Sequence, residues 1–442
     1  MKRGAVSAKS KVCLVSLGCS KNLVDSEVML GILKGRGFEL TTSEADADVL
    51  VVNTCGFIGD AKKESIDEIL RLAEYKKTGQ CRTLVVAGCL TQRYKEALAA
   101  ELPEVDFFIG TGEYPRIAEI ITSINFKGVY AGVPTFIHDS RTPRIVSTPG
   151  YSAYVKVAEG CNNLCSYCVI PEIRGAMRSR PVASILNEAR ELAGAGVKEI
   201  NLIAQDTTSY GRDMGGGGDG GKGLPGLLKK LVKVDGIEWI RLLYLYPTRV
   251  SDGLIGLIRD EEKVCKYIDM PVQHVNSRIL RAMNRPYTGN DVMALVERFR
   301  RDIAGVTIRT SLIAGFPGET AGEFRELLSF VKDAAFDRLG AFKYSREEGT
   351  PAFGMKAQVP ERIKEARLKK IMEAQQGISL RRNKALAGET VRVLVQGRGE
   401  GGVLVGRYEG QAPEVDGVTF VNNGGALRPG DMIDAFVTGA DA

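Results

Sequence analysis

The chain has 442 residues, enough for two or three domains with cores of their own. Hydrophobic residues make up 44% and charged residues 26%, which excludes disordered and fibrous classes, and no apolar run reaches the roughly 18 residues that a membrane helix needs. Nine cysteines over this length argue against a small disulfide scaffold, and the net charge of +6 is mild.

The opening stretch "MKRGAVSAKSKVCLVSLGC" carries basic residues, but its apolar part is too short and too strand-like for a signal segment. A cytosolic protein without membrane attachment is expected. In that compartment, patterned cysteines point to metal binding or catalysis.

Residues 10–140 alternate apolar runs with helical patterns. "KVCLVSL" (11–17), "DVLVVNT" (48–54), "TLVVAG" (83–88) and the weaker "VDFFIG" (105–110) predict strands. "LVDSEVMLGILKG" and "KKESIDEILRLAEYKK" between them carry helical periodicity. Strands apolar on both faces, alternating with helices, predict a doubly wound parallel sheet.

A Ser/Pro/Gly hinge, "STPGYSAY", stands around residue 147. Beyond it, 147–378 repeats the βα theme. Its predicted strands are "AYVKVAEG" (153–160), "EINLIAQD" (199–206), "WIRLLYLY" (239–246), "KYIDMPVQ" (266–273), "TIRTSLIAG" (307–315) and "RLGAFKYS" (338–345). Six strands separated by helices suit a partial (β/α)6 barrel. "MGGGGDGGKGLPG" (214–226) interrupts it as a flexible surface loop.

A basic helix begins at Pro360, with Arg362, Lys364, Arg367, Lys369 and Lys370; these cations favour RNA, and a solvated face or one leaning on RNA accounts for them. The last piece, 380–442, has short alternating strands with Gly turns and predicts a small antiparallel β-barrel of OB-like type. From Gly388 onward there are four arginines, no lysine and eight acids, a charge of −4 that leaves +10 on the remainder. Such a module matches phosphate poorly and a basic protein well.

The cysteines carry the chemistry. Cys161-x3-Cys165-x2-Cys168 follows the first barrel strand, at the C-terminal rim where barrels keep their active sites. A cubane iron–sulfur cluster usually takes four thiolates, so three leave one iron open. Zinc is the rival, but structural zinc closes its shell with four ligands and no neighbour offers a fourth. A second set, Cys19, Cys55 and Cys89, lies 36 and 34 residues apart, and each member follows an apolar strand in the same way. Parallel strands end on one edge, where ligands bind, so these three thiolates should converge. Cys13, Cys81 and Cys265 suit buried small hydrophobes instead.

CxxxCxxC with Tyr167 before its last cysteine, opening a βα barrel, resembles the radical S-adenosylmethionine enzymes. Two tri-cysteine sites followed by a small β-barrel resemble, over nearly the whole chain, the methylthiotransferases. The resemblance implies two [4Fe-4S] clusters. One, on Cys161, Cys165 and Cys168, binds S-adenosylmethionine at its open iron and yields a 5′-deoxyadenosyl radical. The other, on Cys19, Cys55 and Cys89, is auxiliary and holds the sulfur to be inserted. It also implies a methylthiotransferase N-terminal domain, a TRAM domain at the C-terminus, a second S-adenosylmethionine as methyl donor, an electron donor such as flavodoxin or ferredoxin, a sulfur donor, and a monomer.

"SLGCSKNLVDSE", "NTCGFI", "GCNNLCSYCVIPEIRG", "LIAQDTTSYGRD", "DMPVQH", "AGFPGETAGEF" and "FKYSREEGTPA" look like the branch that modifies an aspartate on the twelfth protein of the small ribosomal subunit. The substrate would be that basic protein, free or in the ribosome, with a radical formed at the aspartate β-carbon. The alternatives are methylthiolation of tRNA adenosine of the isopentenyladenosine type, and an iron–sulfur RNA-binding or regulatory protein. Rim position makes Gln205 and Asp206, Ser311, Gly315 and Gly318, and Lys343 and Tyr344 candidate contacts to S-adenosylmethionine or substrate. Arg174, Arg178 and Arg180 are candidates for a substrate carboxylate. Glu319 is expected to cap the helix after "GFPG", and His274 to be a packing residue of the barrel.

Overall fold

A computed structural model describes residues 9–123, 127–215, 223–422 and 425–441. It divides into two compact units. The first comprises 1–147, 158–185 and 345–353, and the second 148–157, 186–344 and 354–442.

The first unit is built on a six-stranded parallel sheet in the order Glu39–Leu40, Lys11–Ser16, Val49–Thr54, Thr83–Gly88, Phe107–Ile109, Gly128–Tyr130. Val49–Thr54 and Thr83–Gly88 are buried at every position, which is why they appear as unbroken apolar runs. Side chains alternate between two cores. Val49 and Val51 pack with Met29 and Leu33 of the helix Ser20–Gly35. Leu50 and Val52 pack with Ile69 and Leu72 of the helix Gly59–Ala73. Helices therefore cover both faces, as the alternation predicted. The two outer strands, Glu39–Leu40 and Gly128–Tyr130, were not foreseen. They are too short to leave an apolar run.

Three further pieces belong to this unit. A two-stranded antiparallel ladder pairs Ala158–Glu159 with Arg178–Ser179, and between them run the Cys161–Cys168 loop and the helix Ile170–Arg174. Glu27 ties down 144–147 through the Arg144 guanidinium at 2.6 Å and the Ser147 backbone N–H at 2.6 Å. In the segment 345–353, the Glu347 carboxylate is clasped by Lys62 at 2.8 Å and Arg93 at 2.7 Å, and the Ala352 N–H donates to the Ser166 carbonyl at 2.8 Å.

In the second unit, Ser152–Lys156, Glu199–Ile203 and Trp239–Leu242 pair in parallel in that order, and Tyr267–Asp269, Thr307–Ala314 and Arg338–Lys343 do the same. A parallel bridge from Ile240 to Val264 links the two halves into a six-stranded partial barrel. Residues 216–222 of the glycine-rich segment lie outside the described residues. Its end is not loop: Leu224, Pro225 and Gly226 are buried in the helix Leu224–Leu231.

Pro360 directly precedes the helix Glu361–Lys384. Its basic face is not uniformly solvated. Lys364 is buried and donates to the Tyr344 carbonyl at 2.9 Å, and Arg367 is buried against Glu319 at 3.0 Å. The C-terminal piece is an antiparallel sheet in the order Thr419–Val421, Leu404–Tyr408, Thr390–Arg398, Met432–Phe436, with a bulge between Val395 and Gly397. It is pinned to the barrel by a buried charge cluster. Glu199 on a barrel strand meets Arg407 at 2.5 Å and Arg241 at 3.0 Å, all three 0–1% exposed.

Candidate cluster and cofactor site

The strand order places the N-terminal cysteines. Lys11–Ser16 and Val49–Thr54 are neighbours, and the crossovers from them run in opposite senses, so their carboxyl ends flank a topological switch point. Cys19 follows the first and Cys55 the second, and Cys89 follows the adjacent Thr83–Gly88. Two glycines let these backbones close in. A Cβ on Gly18, whose φ is +89°, would lie 3.0 Å from Cys55 Cβ and 3.4 Å from Cys55 Sγ. A Cβ on Gly56 would lie 2.8 Å from Leu90 Cα and 2.9 Å from the Cys89 carbonyl carbon. A glycine beside each cysteine ("LGC", "CGF", "AGC") is the mark of this close approach in the sequence.

Polar side chains hold the strand ends. Asn22 donates to the Leu17 carbonyl at 2.9 Å and the Thr54 carbonyl at 3.0 Å. Asn53 donates to the Asn22 carbonyl at 2.9 Å and to Ser26 Oγ at 2.9 Å. Ser65 brackets Cys55, accepting from its N–H at 3.1 Å and donating to its carbonyl at 3.0 Å. Cys19 is exposed, Cys55 half-buried and Cys89 buried. Burial, then the neighbouring sulfurs of Cys89 and Cys19, push the Cys55 thiol up to about 12. Burial raises Cys89 as well, opposed by Arg174.

Within the same unit, the Cys161–Cys168 loop is fixed at several points. The Cys161 N–H donates to the Gly175 carbonyl at 3.1 Å, the Cys168 N–H to the Cys165 carbonyl at 3.1 Å, and the Met177 N–H to Asn162 Oδ1 at 3.0 Å. Tyr167 is half-buried beside Cys168. Val169 and Ile173, just after Cys168, form one buried cluster with Cys89. The two cysteine triads are thus parts of one folded unit.

All nine cysteines are free thiols. Cys13, Cys81 and Cys265 are buried at 5%, 6% and 1% exposure, as small hydrophobes would be. Among the described residues, no three cysteine, histidine or acidic side chains gather as the ligands of a single metal ion would.

The other candidates have clear occupations. Arg174 donates to Asp25 at 2.5 Å, Glu159 at 3.3 Å, Asn22 Oδ1 at 2.6 Å and Cys89 Sγ at 3.2 Å, so it does not wait for a substrate carboxylate. Arg178 braces its own ladder through the Ala176 carbonyl at 2.6 Å and the Arg174 carbonyl at 3.1 Å. Arg180 is fully buried against His138 and Ser184.

In the second unit, Asp206 caps the turn Thr207–Ser209 and pairs with Arg249. Lys343 turns to Glu361 at 2.6 Å on the long helix. A Cβ on Gly315 would lie 2.4 Å from Lys364 Cγ, so that glycine admits the helix. Glu319 does not cap a helix. It folds back onto the Gly315 and Phe316 N–H groups at 2.5 and 3.2 Å, while Thr320 forms a capping box with Glu323. Gln205 is half-buried after its strand, and Ser311 half-buried within its own, its carbonyl accepting from the Gln273 N–H at 2.8 Å. His274 is buried, held down to about 3 by loss of solvent.

Family models match three stretches: uncharacterized protein family UPF0004 over 11–110, the radical SAM superfamily over 155–331, and the TRAM domain over 387–442. In fold the chain is similar to the radical S-adenosylmethionine methyltransferase TsrM of Kitasatospora setae, with a TM-score of 0.59 at 17% identity, covering 78% of this chain and 77% of that one. Barrel, cysteine loop and TRAM sheet together define a radical S-adenosylmethionine enzyme. Its curated relatives narrow this. The chain is 53% identical over 439 residues to the ribosomal protein uS12 methylthiotransferase RimO of Geotalea uraniireducens, covering 98% of this chain and 97% of the relative. It is 53% identical over 437 residues to that of Geobacter sulfurreducens, with the same coverages. The chain belongs to the ribosomal protein uS12 methylthiotransferase family.

Proposed function

We infer that the chain methylthiolates the β-carbon of an aspartate on ribosomal protein uS12. Cys161, Cys165 and Cys168 hold one [4Fe-4S] cluster, and Cys19, Cys55 and Cys89 hold the other. When bound, these clusters and S-adenosylmethionine would supply the electron, the radical and the methyl group, with the sulfur to be inserted held at the auxiliary cluster. An unactivated C–H bond demands such chemistry, because no side-chain base removes so weakly acidic a proton.

The observation that carries this reading is the packing of Cys89 against Val169 and Ile173. It keeps the two ligand sets in one rigid body, as a reaction needing both at one substrate carbon requires. Burial of Cys89, Cys161 and Cys165 keeps water from these ligands. Among the rim residues, Asp206, Gly315 and Lys343 are engaged elsewhere. Tyr167, beside Cys168, and Gln205 and Ser311, after and within barrel strands, serve as S-adenosylmethionine contacts by position.

The three matched stretches support a division into a methylthiotransferase N-terminal domain (10–140), a radical SAM domain (147–378) and a TRAM domain (380–442). The acidic C-terminal piece suits a basic ribosomal protein. Burial of Lys364 and Arg367 removes two cations from the helix that most favoured RNA. The enzyme works as a cytoplasmic monomer served by a flavodoxin- or ferredoxin-like reductant and a sulfur donor. No helix among the described residues is long and apolar enough to cross a membrane.

Mass analysis of uS12 and of tRNA from a deletion strain tests the substrate. The expected result is uS12 lacking one methylthio group with tRNA unchanged. Loss of the tRNA mark with uS12 unaltered would overturn it.

A further inference from the structure

Arg174 contacts Cys89 from 85 residues away in sequence, at 3.2 Å between Nη2 and Sγ. The residue is 2% exposed. The same nitrogen donates to Asn22 Oδ1 at 2.6 Å, while Nη1 is taken by Asp25 at 2.5 Å and Glu159 at 3.3 Å. The two carboxylates make a buried cation tolerable. The sulfur contact uses a different N–H from theirs, so an ion pair alone does not account for it.

The arginine's base is equally fixed. Its helix, Ile170–Arg174, starts two residues after Cys168, and the Ile173 carbonyl accepts from Thr111 Oγ1 at 2.8 Å. Asn22 and Asp25 come from the helix Ser20–Gly35, directly after Cys19. Residues following one ligand of each set therefore clamp the guanidinium onto a third ligand.

We propose that Arg174 is a positioning residue for the auxiliary cluster: it donates a hydrogen bond to the Cys89 sulfur, raises the reduction potential of the cluster held there, and ties that ligand to the segment carrying Cys161, Cys165 and Cys168. A donor and a positive charge on a ligating sulfur favour the state with the extra electron. This rests on the reading of Cys19, Cys55 and Cys89 as cluster ligands.

The test uses the full chain with Cys161→Ala, Cys165→Ala and Cys168→Ala, so that only the auxiliary cluster can form. Iron content, the midpoint potential by spectroscopic titration, and the hyperfine coupling of 15N-labelled arginine to the reduced cluster are measured. Arg174→Gln and Arg174→Lys are compared with Arg174. Iron should be retained, the potential should fall in Arg174→Gln and be partly restored in Arg174→Lys, and the 15N coupling should be present only with Arg174. An unchanged potential in an iron-loaded variant would overturn the proposal. If both variants lose iron, the 15N measurement on the chain with Arg174 decides, and absence of coupling overturns it. Absence of iron from that parent chain overturns the ligand reading and the proposal with it.

Discussion

Replacing Glu199 by Gln removes one negative charge from a site holding two buried arginines. The carboxylate accepts from Arg407 at 2.5 and 3.2 Å, from Arg241 Nε at 3.0 Å and from Ser152 Oγ at 2.8 Å. Breaking a buried pair from one side leaves the partner charge uncompensated and costs about 3–5 kcal/mol. A second route gives a similar size. Burial pushes the Glu199 carboxyl up, but Arg407 and Arg241 outweigh it and hold it at about 2 against an ordinary 4.5. At 1.36 kcal/mol per pH unit that is about 3 kcal/mol of stability at neutral pH. Because the folded value is depressed, this contribution is complete above about 4.5 and is lost as pH falls through about 2. The chain's one tryptophan, Trp239, is buried on the strand that carries Arg241, and it makes a local probe. Urea unfolding followed by its fluorescence should show the midpoint falling by on the order of 1 M in Glu199→Gln. The acid limb of the stability profile should flatten as well. A midpoint within about 0.2 M of the parent, with the acid limb unchanged, would refute the argument that these charges are mutually dependent.

Gly56→Ala puts a methyl group against the backbone of Cys89 and Leu90 and should cost about 1–3 kcal/mol locally. Its chemical signature is loss of auxiliary-cluster iron, measured by metal analysis, while reductive cleavage of S-adenosylmethionine to 5′-deoxyadenosine continues. Gln205→Ala should cut that cleavage about tenfold or more, a loss of about 1.4 kcal/mol in the transition state, whereas Lys343→Ala should leave it within about twofold. In the metal-free protein, Cys55 should react with iodoacetamide much more slowly than a free cysteine at pH 8. Its rate should keep rising toward pH 12, since the thiolate forms only there. Peptide mapping of the alkylated protein checks this.

Much of the architecture was visible because doubly buried strands announce themselves. The apolar runs at 48–54 and 83–88 became the central strands Val49–Thr54 and Thr83–Gly88. The convergence of Cys19, Cys55 and Cys89 was legible for the same reason: strand ends of a parallel sheet share an edge, so three equivalent sequence positions become neighbours in space. Edge strands of two and three residues had no pattern to betray them. Side-chain direction was beyond reach. Lys343 ends a barrel strand and Asp206 follows one, but Asp206 folds into its own turn and Lys343 outward to a helix. Arg174 looked like a cation awaiting an anionic substrate. Two of its partners, Asp25 and Asn22, come from a helix 149 and 152 residues earlier, a proximity that only the fold creates.

The central claim is that two separate triads each hold a cluster. Iron and sulfide quantification of the reconstituted chain and of its Cys55→Ala and Cys161→Ala variants tests it most directly. The parent should carry two clusters' worth of iron, and each variant should lose one, roughly four atoms. Equal iron in parent and variants, or loss of all iron from either single substitution, would contradict two independent sites.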